Sequence, residues 1–358
     1  MKRRWRWGLR VAGFLLVLWT ADVASRSLRF AFWTPFENDP GLNVYVYQRE
    51  RLGADVLLLG TSKIKAAVIP AVLERQLAAD TGHHYSVFSL GQPGSSTFTS
   101  WLVLRQVIAS NGCPRLVVLE LSPATLNAHH GNIPRALRYS AALPDLVRSA
   151  RWVTSWDRFL GAAGGTFRGV TSGMLFATRG LYWNRVQPAL TAATRKRGAQ
   201  YALRSRRQQL RRLSDLDDDE LQQHLNDAAG WGRSQYLDRF AIGGAPEWAF
   251  RSIRRLAAER GVRLVIVDPP VAVRYQRQIY PGDEQQRFRE YLDRAAAVGE
   301  LVVADRDAAS LGFTDADFVN LTHLHPDGAV RYSRWLSRDV LAPLLAPPAS
   351  ESDGRAPG

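Results

Sequence analysis

The sequence predicts an α/β fold, a three-layer parallel sheet with helices on both faces, and three observations support that reading. Strand-length apolar runs recur at 56–59, 85–90, 116–121, 262–267 and 301–304, and most are rich in Val, Ile and Leu, as strands buried on both faces require. Helix-length segments fill the intervals, at 64–79, 97–109, 248–260 and 284–298. That alternation matches units whose crossovers lay helices over a parallel sheet. Pro269-Pro270 closes the fourth run, where proline is expected because it has no N–H to give to a central ladder.

The chain begins with Lys2, Arg3, Arg4, Arg6 and Arg10 ahead of the apolar run 11–21. Positive charge before an apolar segment keeps that end in the cytoplasm. The run is short and Val23-Ala24-Ser25 is compatible with a cleavage site, whereas the interface aromatics Trp5, Trp7, Phe30, Phe32 and Trp33 favour an uncleaved anchor. In either case the body is exported, so the expectation is an inner-membrane anchor with the rest in the periplasm or extracytoplasmic space. The resulting division is a basic N-terminus and anchor at 1–33 and a first part of the α/β domain at 34–131. A mostly helical insertion or cap follows at 132–244, then a second part of the domain at 245–345 and a disordered tail at 346–358.

With 358 residues of which 46% are hydrophobic, the chain can build one large core with an insertion. The formal charge of +14 does not single out nucleic acid, because the basic residues are spread and no RNA-binding, zinc-finger or helix-turn-helix pattern accompanies them. A basic exterior suits an anionic membrane surface or an anionic polymer. Within the insertion, a basic stretch from Arg195 to Arg212 precedes Asp215, Asp217, Asp218, Asp219 and Glu220. It reads either as a solvated helix followed by a capped helix start, or as a site for an anionic glycan or lipid headgroup. Trp152, Trp156, Trp183 and Trp231 are sugar platforms or packing beneath the insertion. The lone Cys113 rules out an internal disulfide and is expected to be buried.

Two short segments at opposite ends of the chain carry the chemistry. Asp55-Val-Leu-Leu-Leu-Gly-Thr-Ser-Lys63 reads as a buried strand that breaks at Gly60 and delivers Ser62 to its carboxyl end, where open α/β sheets bind ligands. Ser62 is either a nucleophile with its own N–H facing an oxyanion or a plain helix N-cap. Asn320-Leu-Thr-His-Leu-His-Pro-Asp-Gly328 supplies His323 as a general base, with Asn320 placed to orient it. His325 competes, with a poorer orienter in Thr322. The second strand ends in a glycine-rich turn where the Gly91 N–H is either an oxyanion donor or part of a tight turn. The third ends in Glu120-Leu-Ser-Pro123, which brings a structural acid and Ser122 to the same edge. No metal or cofactor is expected, since His323, His325 and Asp327 are too few and too tightly spaced for a zinc site.

These residues resemble the SGNH/GDSL hydrolase superfamily, especially its membrane-anchored branch of alginate O-acetyltransferase-like and teichoic acid D-alanyl transfer proteins. The resemblance covers roughly 55–123 and 262–341 and implies a flavodoxin-like SGNH hydrolase fold. Gly60-Thr61-Ser62 matches the block whose serine is the nucleophile, Gly91 the block whose glycine lends an oxyanion N–H, and His323 the last block. Two positions depart from the pattern. Leu121-Ser122-Pro123 stands where the family offers an oxyanion asparagine, leaving Ser122 as the candidate there, and Asn320 stands where it has aspartate. A neutral amide orients an imidazole but does not stabilise the imidazolium; in a serine protease the same replacement costs about ten-thousand-fold, with the wrong tautomer contributing.

The expected function is that of a membrane-tethered O-acyltransferase or acylesterase acting on a cell-envelope polysaccharide through an acyl-Ser62 intermediate. The resemblance implies a membrane-bound O-acyltransferase as partner. Two alternatives stand beside it: a non-catalytic binding or assembly subunit of a polysaccharide-modification complex, and a simple secreted esterase.

Overall fold

A computed structural model of the chain describes residues 53–131, 211–297, 301–304 and 307–346, together with Gly13, Thr20 and Tyr47. The strands β1 (Val56–Leu59), β2 (Val87–Ser89), β3 (Leu116–Glu120), β4 (Arg263–Val267) and β5 (Leu301–Ala304) form one sheet in the order β2-β1-β3-β4-β5. Every pairing in it is parallel. This is a doubly wound order, and the direction of winding reverses between β1 and β3, where such sheets open a crevice at their carboxyl ends.

The period of two along each strand splits the interior into two cores. Val56, Leu58, Leu116, Val118, Val265 and Val267 face one side, where they meet helices α1 (Ser62–Ala67), α2 (Pro70–Thr81), α5 (Asp218–Gly232), α7 (Val273–Ile279), α9 (Pro326–Trp335) and α10 (Ala342–Leu345). Leu57, Leu59, Val117, Leu119, Leu264 and Ile266 face the other, against α3 (Thr97–Asn111), α6 (Gly244–Glu259) and α8 (Glu284–Ala296). Helices therefore cover both faces of a parallel sheet, as the alternating pattern predicts. A short helix, α4 (Pro123–Leu126), follows β3, and an antiparallel hairpin of β6 (Phe318–Asn320) and β7 (His323–Leu324) stands apart from the main sheet.

Several elements differ from the sequence reading for identifiable reasons. The single helix expected over 64–79 is two helices, because Val68 and Ile69 are extended and Pro70 opens the second at its first position. The proline ring excludes the residue before it from the helical region, yet suits the first turn of a new helix. Cys113 is exposed, contrary to expectation; it lies just past Gly112, which ends α3, in the connection that leads to β3. Helix α5 belongs to the fold's own core, burying Leu221, Leu225 and Ala229 in the same cluster as β1 and β3. The acids at its N-terminus form a capped start: Asp217 accepts from the Glu220 N–H at 2.8 Å, with Asp218 and Asp219 in the first turn.

Among the described residues no helix is long and apolar enough to cross a membrane. Apart from Gly13 and Thr20, the apolar run at 11–21 of the expected anchor lies outside the described set, as do the basic run 195–207, Trp152, Trp156 and Trp183, and the tail beyond 346.

Leu58 is fully buried in the central part of β1. Leu58→Ala is expected to destabilise the chain by about 2–5 kcal/mol, read from the midpoint of urea unfolding followed by circular dichroism.

Candidate active site

The turn after β1 is built around a buried carboxylate. Glu120, at the end of β3, accepts from the Thr61 N–H at 2.7 Å, from the Thr61 hydroxyl at 2.8 Å and from the Ile64 N–H at 3.2 Å. Its side chain is fully buried, so these bonds replace the water it has lost. Gly60 makes the approach possible. Its φ of +149° is open to glycine, and a side chain there would run into the Glu120 Cβ and lie 2.6 Å from Oε2.

Thr61, not Ser62, is the N-cap of α1, its hydroxyl accepting from the Lys63 N–H at 3.0 Å. Capping is thereby complete without Ser62, and the two roles left open for that residue separate. The Ser62 hydroxyl instead meets His323, Oγ to Nε2, at 2.8 Å. The Ser62 N–H, in the first turn of α1, has no hydrogen-bond partner among the described residues.

His323 opens β7, and the hairpin that carries it is drawn together by Asn320. The Asn320 Oδ1 accepts from the backbone N–H groups of Thr322 and His323, each at 3.0 Å, and lies 3.0 Å from His323 Nδ1. Two backbone donors aimed at one atom require it to be the oxygen of the amide, which settles the orientation of the side chain. An acceptor facing Nδ1 places the ring proton there and leaves Nε2 to accept from Ser62. The tautomer is therefore the one a general base needs.

Burial lowers the pKa of His323 below its ordinary 6.5; the charge of Glu120 acts in the opposite sense and that of Lys63 reinforces the lowering. The ring is thus neutral at neutral pH. Lys63 and Asp268 were missed by the sequence reading. The Lys63 ammonium lies 2.6 Å from Asp268 Oδ1 and 3.5 Å from Glu120 Oε1. Burial pushes its pKa down, but the Asp268 and Glu120 charges outweigh burial and the net direction is up. Asp268 follows the end of β4 directly before Pro269-Pro270. A survey of polar residues at the carboxyl ends of the strands would have found it.

Ser62, Lys63, Asp268 and His323 share the wall of a cavity of about 420 Å³. Ser122 also lines it, but its N–H donates to Thr125 Oγ1 at 2.9 Å and its hydroxyl accepts from the Thr125 N–H at 3.4 Å, a reciprocal cap on α4. Gly91 is not on the cavity wall. A side chain there would lie 2.9 Å from the Thr61 carbonyl and 3.0 Å from Ile64, so its bareness lets the second strand's turn pack against α1. His325 caps α9, accepting from the Asp327 N–H at 3.3 Å. Asp317 is held by Arg331 at 2.8 Å, and Asp315 faces Arg274 at 3.5 Å.

Further around the cavity, His130 is buried, which lowers its pKa to about 4. Burial likewise pushes the Tyr275 phenol up to about 12. Among the described residues no group of three or more His, Cys, Asp or Glu is placed to hold a metal. No protein-family model and no curated protein sequence matches the chain.

In the full-length chain, the C2–H resonance of His323 is expected to titrate with a midpoint below pH 6.5. A midpoint above that value contradicts a desolvated ring. Gly60→Ala is expected to cost about 1–3 kcal/mol in urea unfolding, since both backbone conformation and the Glu120 contact are violated.

Proposed function

We propose that the chain is an exported, membrane-tethered acyl-transfer enzyme of the SGNH/GDSL type, moving an acyl group onto or off a cell-envelope polysaccharide through an acyl-Ser62 intermediate. The observation that carries the reading is the continuous relay from Ser62 Oγ to His323 Nε2 at 2.8 Å and from His323 Nδ1 to Asn320 Oδ1 at 3.0 Å. An alcohol, an imidazole and an orienting acceptor in that order form the arrangement that activates a serine nucleophile.

In the reaction so proposed, His323 Nε2 takes the Ser62 proton as Oγ attacks the ester carbonyl. The Ser62 N–H is the donor available to the resulting oxyanion. Collapse of the tetrahedral intermediate expels the alcohol, which receives the proton from the imidazolium, and leaves the acyl group on Ser62. A sugar hydroxyl or water then attacks that ester as His323 accepts its proton, and collapse breaks the Ser62 Oγ–acyl bond while the imidazolium returns the proton to Oγ. Transfer and hydrolysis differ only in which oxygen arrives. A membrane-bound O-acyltransferase beside the anchor would supply the acyl group.

Asn320 sets the tautomer but brings no charge to the imidazolium. Glu120 is the negative group whose field on His323 offsets part of that lack. The rival reading, a binding or assembly subunit that does not turn over, draws on the neutral Asn320 and on the capping role of Ser122.

Incubating the full-length chain with a fluorophosphonate is expected to leave a mass adduct on Ser62 and none in Ser62→Ala; an unlabelled Ser62 in the wild-type chain favours the subunit reading. The labelling rate should hold as pH is lowered from 8 and fall only below about 6.5, where the neutral ring becomes protonated. Asn320→Asp is expected to raise that rate roughly tenfold to a hundredfold and to move its acid limb to higher pH, because a carboxylate favours the charged ring. A slower variant, or an unmoved limb, contradicts the role given to Asn320.

A further inference from the structure

The cavity wall also carries groups of a different chemistry. Trp231 is the one large hydrophobic side chain strongly exposed among the described residues, at 58%, and it lies on the cavity wall. Its indole meets the Tyr236 ring at 5.1 Å and 89°, and Tyr236 in turn lies against His130 at 4.9 Å. A perpendicular contact leaves at least one face of the indole uncovered. The ring series is held firmly: the Asn127 side-chain amide donates to the Tyr236 carbonyl at 2.9 Å, and the Gly131 N–H donates to the Gln235 carbonyl at 2.7 Å. Gly232, beside Trp231, leaves room for Tyr275 and Ile279, since a side chain there would lie within 2.9 Å of the Tyr275 hydroxyl.

On the same wall stand Gln276 and Gln285, both part-exposed. Neither side-chain amide has a hydrogen-bond partner among the described residues. A flat, partly uncovered aromatic face beside uncommitted amides is amphipathic in the manner of a pyranose ring, which offers C–H groups on its faces and hydroxyls around its edge. A channel for an aliphatic acyl chain would have no use for the amides, and leaving them unpaired there would cost free energy.

We infer that Trp231 and Tyr236, with Gln276 and Gln285, form a carbohydrate subsite that seats a sugar ring of the acceptor or ester-bearing glycan next to Ser62. The inference rests on the proposed acyl-transfer reading and assigns the glycan to the same cavity. The ring stacks on the indole, and the amides bond its hydroxyls. Preorganisation of the aromatic groups by Asn127 and Gly131 reduces the ordering cost of binding.

Isothermal titration of the full-length chain with cellohexaose, chitohexaose and xylohexaose tests this without requiring turnover. At least one hexaose is expected to bind, with an affinity reduced about tenfold in Trp231→Ala and largely kept in Trp231→Tyr, which retains a ring. Gln276→Leu is expected to weaken the same binding several-fold, and it reports on the subsite if the alanine variant fails to fold by its melting curve. Absence of binding by all three sugars, or binding that both Trp231→Ala and Gln276→Leu leave within twofold of wild type, overturns the subsite. So does Trp231-dependent binding of dodecanoate in place of the sugars. Because fluorophosphonate labelling of Ser62 is read separately, a chain that labels but ignores the sugars loses only this inference. A chain that binds them through Trp231 without labelling loses the acyl-transfer chemistry and keeps the glycan site.

Discussion

A carboxylate sealed from water at the end of β3 organises the site. Glu120 side-chain oxygens accept from Thr61 and Ile64 and face the Lys63 ammonium, and a buried carboxylate without such partners would be strongly disfavoured. The pairing of Leu59 with Leu119 brings Glu120 beside the residues that follow β1. The chain from 60 to 64 must therefore wrap around it, and Gly60 lets the backbone come close enough. Once Thr61 is committed to Glu120 and to the cap of α1, the Ser62 hydroxyl is left facing His323. The position of the Ser62 hydroxyl follows from the solvation of a charge one strand away.

The opposite half of the relay is organised by a neutral group. Asn320 closes the β6–β7 hairpin through two backbone donors and turns the same oxygen toward the His323 ring. Geometry that a triad owes to aspartate is thus retained, while the charge is not. Around it the site holds Lys63 between two carboxylates, Glu120 and Asp268, so these three groups together carry one net negative charge when all are ionised. Cavity, relay and ion pair all lie beyond the carboxyl ends of the strands, next to the reversal between β1 and β3.

Much of this architecture was legible in the residues. Strands such as Val-Leu-Leu-Leu at 56–59 are buried on both faces and cannot be disguised by polar alternation. Pro70 was harder to read, because the same ring that ends one helix suits the first turn of the next. The adjacent hydroxyls of Thr61 and Ser62 could not be assigned separate roles locally, since either can cap a helix. Asn320 and His323 were legible as a pair because their bond spans three residues, and a hairpin closes such a distance on its own.

Local chemistry therefore marked the strands, the break at Gly60 and the orienting amide beside a histidine, all of which act over a few residues. Folding alone could bring Ser62 within 2.8 Å of a ring 261 positions away, pair Lys63 with an aspartate 205 positions away and leave Trp231 uncovered beside them. No short-range interaction links those groups. Their meeting depends on strand order and on which helix covers which face, and these follow from the packing of the whole sheet.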